Sequence, residues 1–207
     1  MPLLTSFIIF IIIVQHAIRR SDAKQKSDDA AFFKREHDAN FVRKKSLEDL
    51  DYIRIPVDRL PFGALPDNAE VRHAEDTVKQ LAAEKIVNLT GISNTDLKLK
   101  YGTANITPLT EYDMRYLELA RTLQKWGREL YASGLYAEAL QVLTFAVETR
   151  TDITGTWHLY IECVRYHAGF SEEESSGILK SRIPLAESLD ALSKEAILRE
   201  LKSAVSE

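Results

Sequence analysis

The sequence predicts an all-α protein of antiparallel helical hairpins stacked in a short array, preceded by a single transmembrane helix and an extended arm. Three observations point there. Apolar or small residues recur at three-and-four spacing through residues 116–146, broken once at Ser133-Gly134. Residues 3–18 are apolar apart from Thr5, Ser6, Gln15 and His16. Period-two alternation appears only in short stretches, one of which, Ile53, Ile55 and Val57, contains Pro56.

Composition narrows the function classes. At 207 residues, with 45% hydrophobic and 28% charged, the chain can bury one core once a membrane segment is set aside, so a second full domain is not expected. A net charge of -4 provides no global basic field, which argues against nucleic acid as a partner. The lone Cys163 cannot form an intrachain disulfide and reads as a small buried hydrophobe. Five histidines, at 16, 37, 73, 158 and 167, show neither H-E-x-x-H nor a Cys/His zinc spacing. G-x-S-x-G and a Gly-rich phosphate loop are also missing, so no catalytic residue, metal or cofactor is predicted and the chain does not read as an enzyme.

The anchor comes first, within residues 1–20. Sixteen helical residues, 3–18, span roughly 24 Å, short of the roughly 30 Å hydrocarbon core, so thinning or snorkelling must close the gap. Arg19-Arg20 follow the apolar run instead of preceding it, the reverse of a cleaved signal peptide. The same arginines, with Lys24 and Lys26, place the following chain on the cytoplasmic side of the cell membrane. Residues 21–49 are dense in both charge signs and read first as a solvated stalk. The alternative is a short amphipathic helix near the headgroups, with Ala30, Phe33, His37 and Phe41 on one face. Residues 50–66 form the arm: Pro56 removes a ladder donor and holds Ile55 extended, and with no partner strand in view the arm is expected to lie over the helices.

Residues 67–207 form the helical body. Asp67 or Asn68 caps a helix with the stripe Val71, Ala74, Val78, Leu81, Ala82 and Ile86, ending near Asn88. Ser93 or Asn94 caps a helical turn that Gly102 ends. The Asn88 and Asn105 sequons are read as chance matches. Thr110 with Asp113 resembles a capping box for a long helix running to about Ala132. A hairpin partner follows the Gly134 turn, and Trp157, Tyr160, Ile161 and Val164 mark the next helix. Ser171 starts another with Glu172, Glu173 and Glu174 at its positive end, and Pro184 is expected to end it. Leu185, Leu189, Leu192, Ala196, Leu198 and Leu201 mark a last, capping helix.

The hairpin over residues 117–147 resembles a tetratricopeptide repeat. The family's small residue falls on Gly127, its turn glycine on Gly134, the aromatic opening its second helix on Tyr136, and its inter-helix alanines on Ala139 and Ala146. Leu123 and Trp126 stand where the family usually has Trp and Leu, and Thr151 replaces the closing proline. A second unit matches at Trp157 and Phe170 and departs at Glu173 and Gly177, so it is degenerate. The layout also resembles small anchored proteins of Gram-positive anaerobes, a likeness that implies a bacterial membrane protein and carries no indication of its activity. The repeat resemblance implies peptide binding on the face supplied by the first helix of each hairpin. There Arg121, Gln124, Arg128 and Tyr131, then His158, Glu162 and Arg165, lie beside the buried stripes. Guanidiniums in such a groove suit a carboxylate or acidic peptide, with Tyr131 as an apolar floor, although an ordinary solvated face has the same pattern. The functional expectation is a membrane-tethered adaptor or scaffold that binds a partner protein or peptide. The alternatives are an envelope-facing assembly factor with the opposite topology and an enzyme with an unrecognised site.

Overall fold

The computed structural model describes the backbone of residues 2–206 and the side chains of residues 14–16, 18–21, 25 and 28–206. In chain order the helices are α1 (Pro2–Asn40), α2 (Ala69–Leu81), α3 (Asn94–Tyr101), α4 (Ile106–Ala132), α5 (Tyr136–Glu148), α6 (Thr154–Glu162), α7 (Glu172–Glu187) and α8 (Lys194–Ser206). A π turn, Cys163–His167, extends α6. The architecture is all-α: among the described residues there is no strand, only an isolated antiparallel bridge between Tyr52 and Val87. The chain divides into two compact units, Met1–Leu47 with Ser93–Ile106, and Glu48–Ile92 with Thr107–Glu207. Ser93–Ile106, within the helical body by sequence, therefore groups with the N-terminal segment.

In the first unit α1 is one uninterrupted helix of 39 residues. No Gly or Pro occurs between Pro2 and Pro56, and Ala, Lys, Gln, Arg and Glu favour helix, so the charged segment expected as a solvated stalk is helical as far as Asn40. Among the described residues no helix is long and apolar enough to cross a membrane. Most side chains of the expected anchor, residues 3–18, lie outside the described residues. Toward its C-terminal end α1 meets α3, which Ser93 caps. Glu36 accepts from Thr95 Oγ1 and from Lys98 Nζ at 3.2 Å, and these bonds, that of Thr95 foremost, hold its carboxyl below the ordinary glutamate range. Asn105 is fully buried, and its amide donates to the carbonyls of Lys45 (2.8 Å) and Tyr101 (2.7 Å).

The second unit holds one apolar core. The α4 stripe of Tyr116, Leu119, Ala120, Leu123, Trp126 and Leu130 packs with Ala139, Val142, Leu143 and Ala146 of α5, then with Trp157, Tyr160 and Ile161 of α6. Gly127 explains how closely α4 and α5 approach, since a Cβ there would lie 2.7 Å from Leu143 Cδ2. Gly134 has φ +77° and turns the chain between the two helices, a conformation that glycine adopts without steric cost. Ile55 and Leu60 of the arm are buried in the same core, and Phe62 lies 5.2 Å from the Trp126 ring. The arm does find a backbone partner, for Ile53 N donates to Ile86 O at 2.9 Å. That pairing accounts for α2 stopping at Leu81, well short of Asn88: residues 86 and 87 are drawn out to meet the arm, Ile86 is buried outside the helix, and Ala82 is exposed.

Three further expectations are corrected. Thr110 does not cap α4, which begins four residues earlier at Ile106. Pro108 sits in the first turn, where a missing N–H costs nothing, and Asp113 instead accepts from Leu89 N at 3.0 Å. Pro184 does not end α7; its carbonyl still accepts from Ser188 N at 3.1 Å, and Lys180, to whose carbonyl the proline nitrogen has no hydrogen to donate, is exposed to solvent. The last stripe is broken by residues 188–193, so Leu192 and Ala196 are exposed, and α8 buries Ile197, Leu198, Leu201 and Ala204 in a new register.

Candidate functional site

The residues singled out on the first helices divide into three environments, all within the second unit. Arg121, exposed on α4, lines an open groove of about 590 Å³ with Met114, Leu117, Arg115 and Glu118. Met114 is 64% exposed and Leu117 39%, so this surface carries uncovered apolar area beside a guanidinium. Arg115 is engaged with Glu84 at 3.2 Å, whereas Arg121 has no hydrogen-bond or ion-pair partner among the described residues. Arg128, one turn beyond Gln124, lies 3.2 Å from Glu129.

The second environment joins α4 to α6. Gln124 faces Gly155 in the first turn of α6. Tyr131 is half-buried; its hydroxyl is 3.2 Å from His167 Nε2 and 3.5 Å from Glu162 Oε2. Burial, followed by the Glu162 charge, raises the Tyr131 pKa. The His167 ring stacks on Tyr136 with centroids 3.7 Å apart and planes within 12°. The π turn places it there: Ala168 N bonds to Cys163 O at 2.9 Å, and the widened turn swings His167 over the start of α5.

In the third environment α8 occupies the polar side of α6. His158 Nδ1 lies 2.6 Å from Glu200 Oε1, and Arg165 donates to the Ala204 carbonyl at 2.6 Å near the negative end of α8. The structure thus brings Tyr131 and Glu162 together, turns His158 and Arg165 toward α8, and leaves Arg121 and Arg128 apart from both. Cys163 does not resemble an activated nucleophile, because burial, then the Glu162 charge, pushes its thiol up to about 12. No protein-family model, curated protein or solved structure matches the chain. The site is therefore read from its own chemistry.

Sequence reasoning missed a second groove, of about 520 Å³, over the outer face of α5. Its floor is Ala137, Leu140, Gln141 and Thr144; its walls are the arm at Pro56, Arg59 and Leu60, and the segment from His167 to Phe170. The floor residues keep a helical spacing off the buried stripe, which was the available signal. The walls come from distant parts of the chain and leave no local pattern. Among the described residues no group of His, Cys, Asp and Glu could hold a metal ion.

Proposed function

We propose that the chain is a membrane-tethered interaction module whose tetratricopeptide-like hairpins present α4 to a peptide of a partner protein. The observation that carries this reading is the α4 groove, where Met114 and Leu117 offer apolar area and Arg121 offers a guanidinium with no partner among the described residues. Such a surface suits a segment with an apolar residue next to a carboxylate, since a guanidinium binds carboxylate through two parallel hydrogen bonds. The close packing of Gly127 on Leu143 and the Gly134 turn support the repeat-like reading. The tether is residues 3–18, and Arg19-Arg20 after them favour a cytoplasmic body.

Crosslinking from a photoreactive residue at position 118 in cells tests the groove. The expected result is a discrete crosslinked partner that the Arg121→Glu and Met114→Asp variants lose; crosslinks indifferent to both would retire the site. Protease treatment of intact cells tests the topology. Protection of the body agrees with the cytoplasmic placement, digestion favours the envelope-facing assembly factor, and release of the full chain by alkaline extraction would remove the tether.

A further inference from the structure

The α5 groove has features that the α4 reading does not use. We infer that it docks an amphipathic helix of a partner protein, with an acidic residue beside the apolar stripe of that helix reaching Arg59. The floor is one helical stripe of α5, in which Ala137 and Gln141 are exposed and Leu140 and Thr144 half-buried. Ala137 and Thr144 are short, which lets a second helix settle at the roughly 8–10 Å interaxial distance of packed helices. Walls flank the stripe on two sides, so the occupant lies along α5 with apolar anchors at i, i+3/i+4 and i+7. One wall is held rigidly, because His167 is stacked on Tyr136 and bonded to Tyr131, and Phe170 beside it is 39% exposed. The floor residues repeat every three or four positions, a spacing that the i, i+3/i+4 anchors of a helix match and the two-residue period of an extended segment does not.

Charge selects among helices. Two lining residues carry full charges, and Glu148 is already engaged with Arg182 at 3.3 Å. The Arg59 guanidinium has no hydrogen-bond or ion-pair partner among the described residues, which leaves an uncompensated positive charge on the wall of a groove that mixes apolar side chains with Gln141, Thr144 and His167. A carboxylate placed there gains a charge-assisted hydrogen bond, whereas a Lys or Arg at the same point is repelled.

The test is a phage-displayed library of amphipathic helical peptides with a fixed leucine stripe and randomised flanks, selected on the full-length chain. Peptides rich in Asp or Glu beside the stripe should be enriched. Their binding should weaken about tenfold or more with Arg59→Glu, which should favour Lys-bearing peptides instead, and with Ala137→Trp, which fills the floor. Both positions are exposed, and matching thermal melts verify that the variants fold. Arg121→Glu should leave this binding unchanged, which separates the outcome from that of the α4 groove. No enrichment over the Ala137→Trp variant, or enrichment indifferent to the charge at position 59, overturns the inference.

Discussion

The two hairpins share a design and differ at their turns. Leu123, Trp126, Gly127 and Leu130 of α4 are matched about 34 residues on by Trp157, Tyr160, Ile161 and Val164, all buried. In the second helices Ala139 and Leu143 are matched by Ser175 and Leu179, two residues beyond that period and equally buried. The π turn and the turn at Gly169 take up the extra length. A helix pair can thus keep its packing while its connection grows, and the added residues are free to build something else, here the His167 wall of the α5 groove.

The difference in packing at the two crossings gives the largest expected effect. Gly127→Val should cost about 1–3 kcal/mol in chemical denaturation, because its side chain would overlap Leu143. Next come the two tryptophans. Trp157 Nε1 donates to Thr151 O at 2.8 Å, whereas Trp126 Nε1 has no hydrogen-bond partner among the described residues. Trp157→Phe should therefore destabilise by about 1–2 kcal/mol more than Trp126→Phe; equal losses would mean that the indole bond contributes nothing.

The start of the second helix is the next point of contrast. Ser171 and Glu174 form a capping box at α7, while α5 begins at Leu135 with no side-chain cap. Ser171→Ala should lower stability by about 1 kcal/mol. The backbone and hydroxyl of Ser171 hold the Glu174 carboxyl below the ordinary value of 4.5. A depressed carboxylate contributes stability that is fully present above its unfolded pKa and is lost as pH falls through the folded one. The deficit of Ser171→Ala relative to the parent should accordingly shrink in melts taken on the acid side of that range. Smallest is Gly177→Ala: nothing lies within 4 Å of the added methyl, so a gain of about 0.5–1 kcal/mol is expected from helix propensity alone.

Much of the helical body was legible from spacing. The α4 and α5 stripes, the helix start at Ser171, the buried Cys163 and the caps as far as Asp67 or Asn68 and Ser93 or Asn94 follow from residue type and period, and the structure selects Asn68 and Ser93. What failed depends on information held elsewhere in the chain. The π turn leaves no mark on a three-and-four pattern, so spacing from the first hairpin points to residues 173 and 177 of α7, whereas Ser175 and Leu179 are the ones buried. The arm seemed to have no partner because Ile86 and Val87 read as the end of a helix until Ile53 and Tyr52 draw them out. Of the proposed peptide face, sequence order placed Tyr131 and Glu162 on neighbouring helices. It could not show that α8 would claim His158 and Arg165, since the spacing within α6 carries no trace of a helix 40 residues away.

The sequestered thiol of Cys163 makes the second hairpin its own stopwatch. It is the chain's sole sulfhydryl, sits at the first residue of the π turn with no solvent exposure, and is held protonated at neutral pH. An alkylating reagent can reach it only during moments when α6 parts from its neighbours, so the rate of labelling records how often that happens.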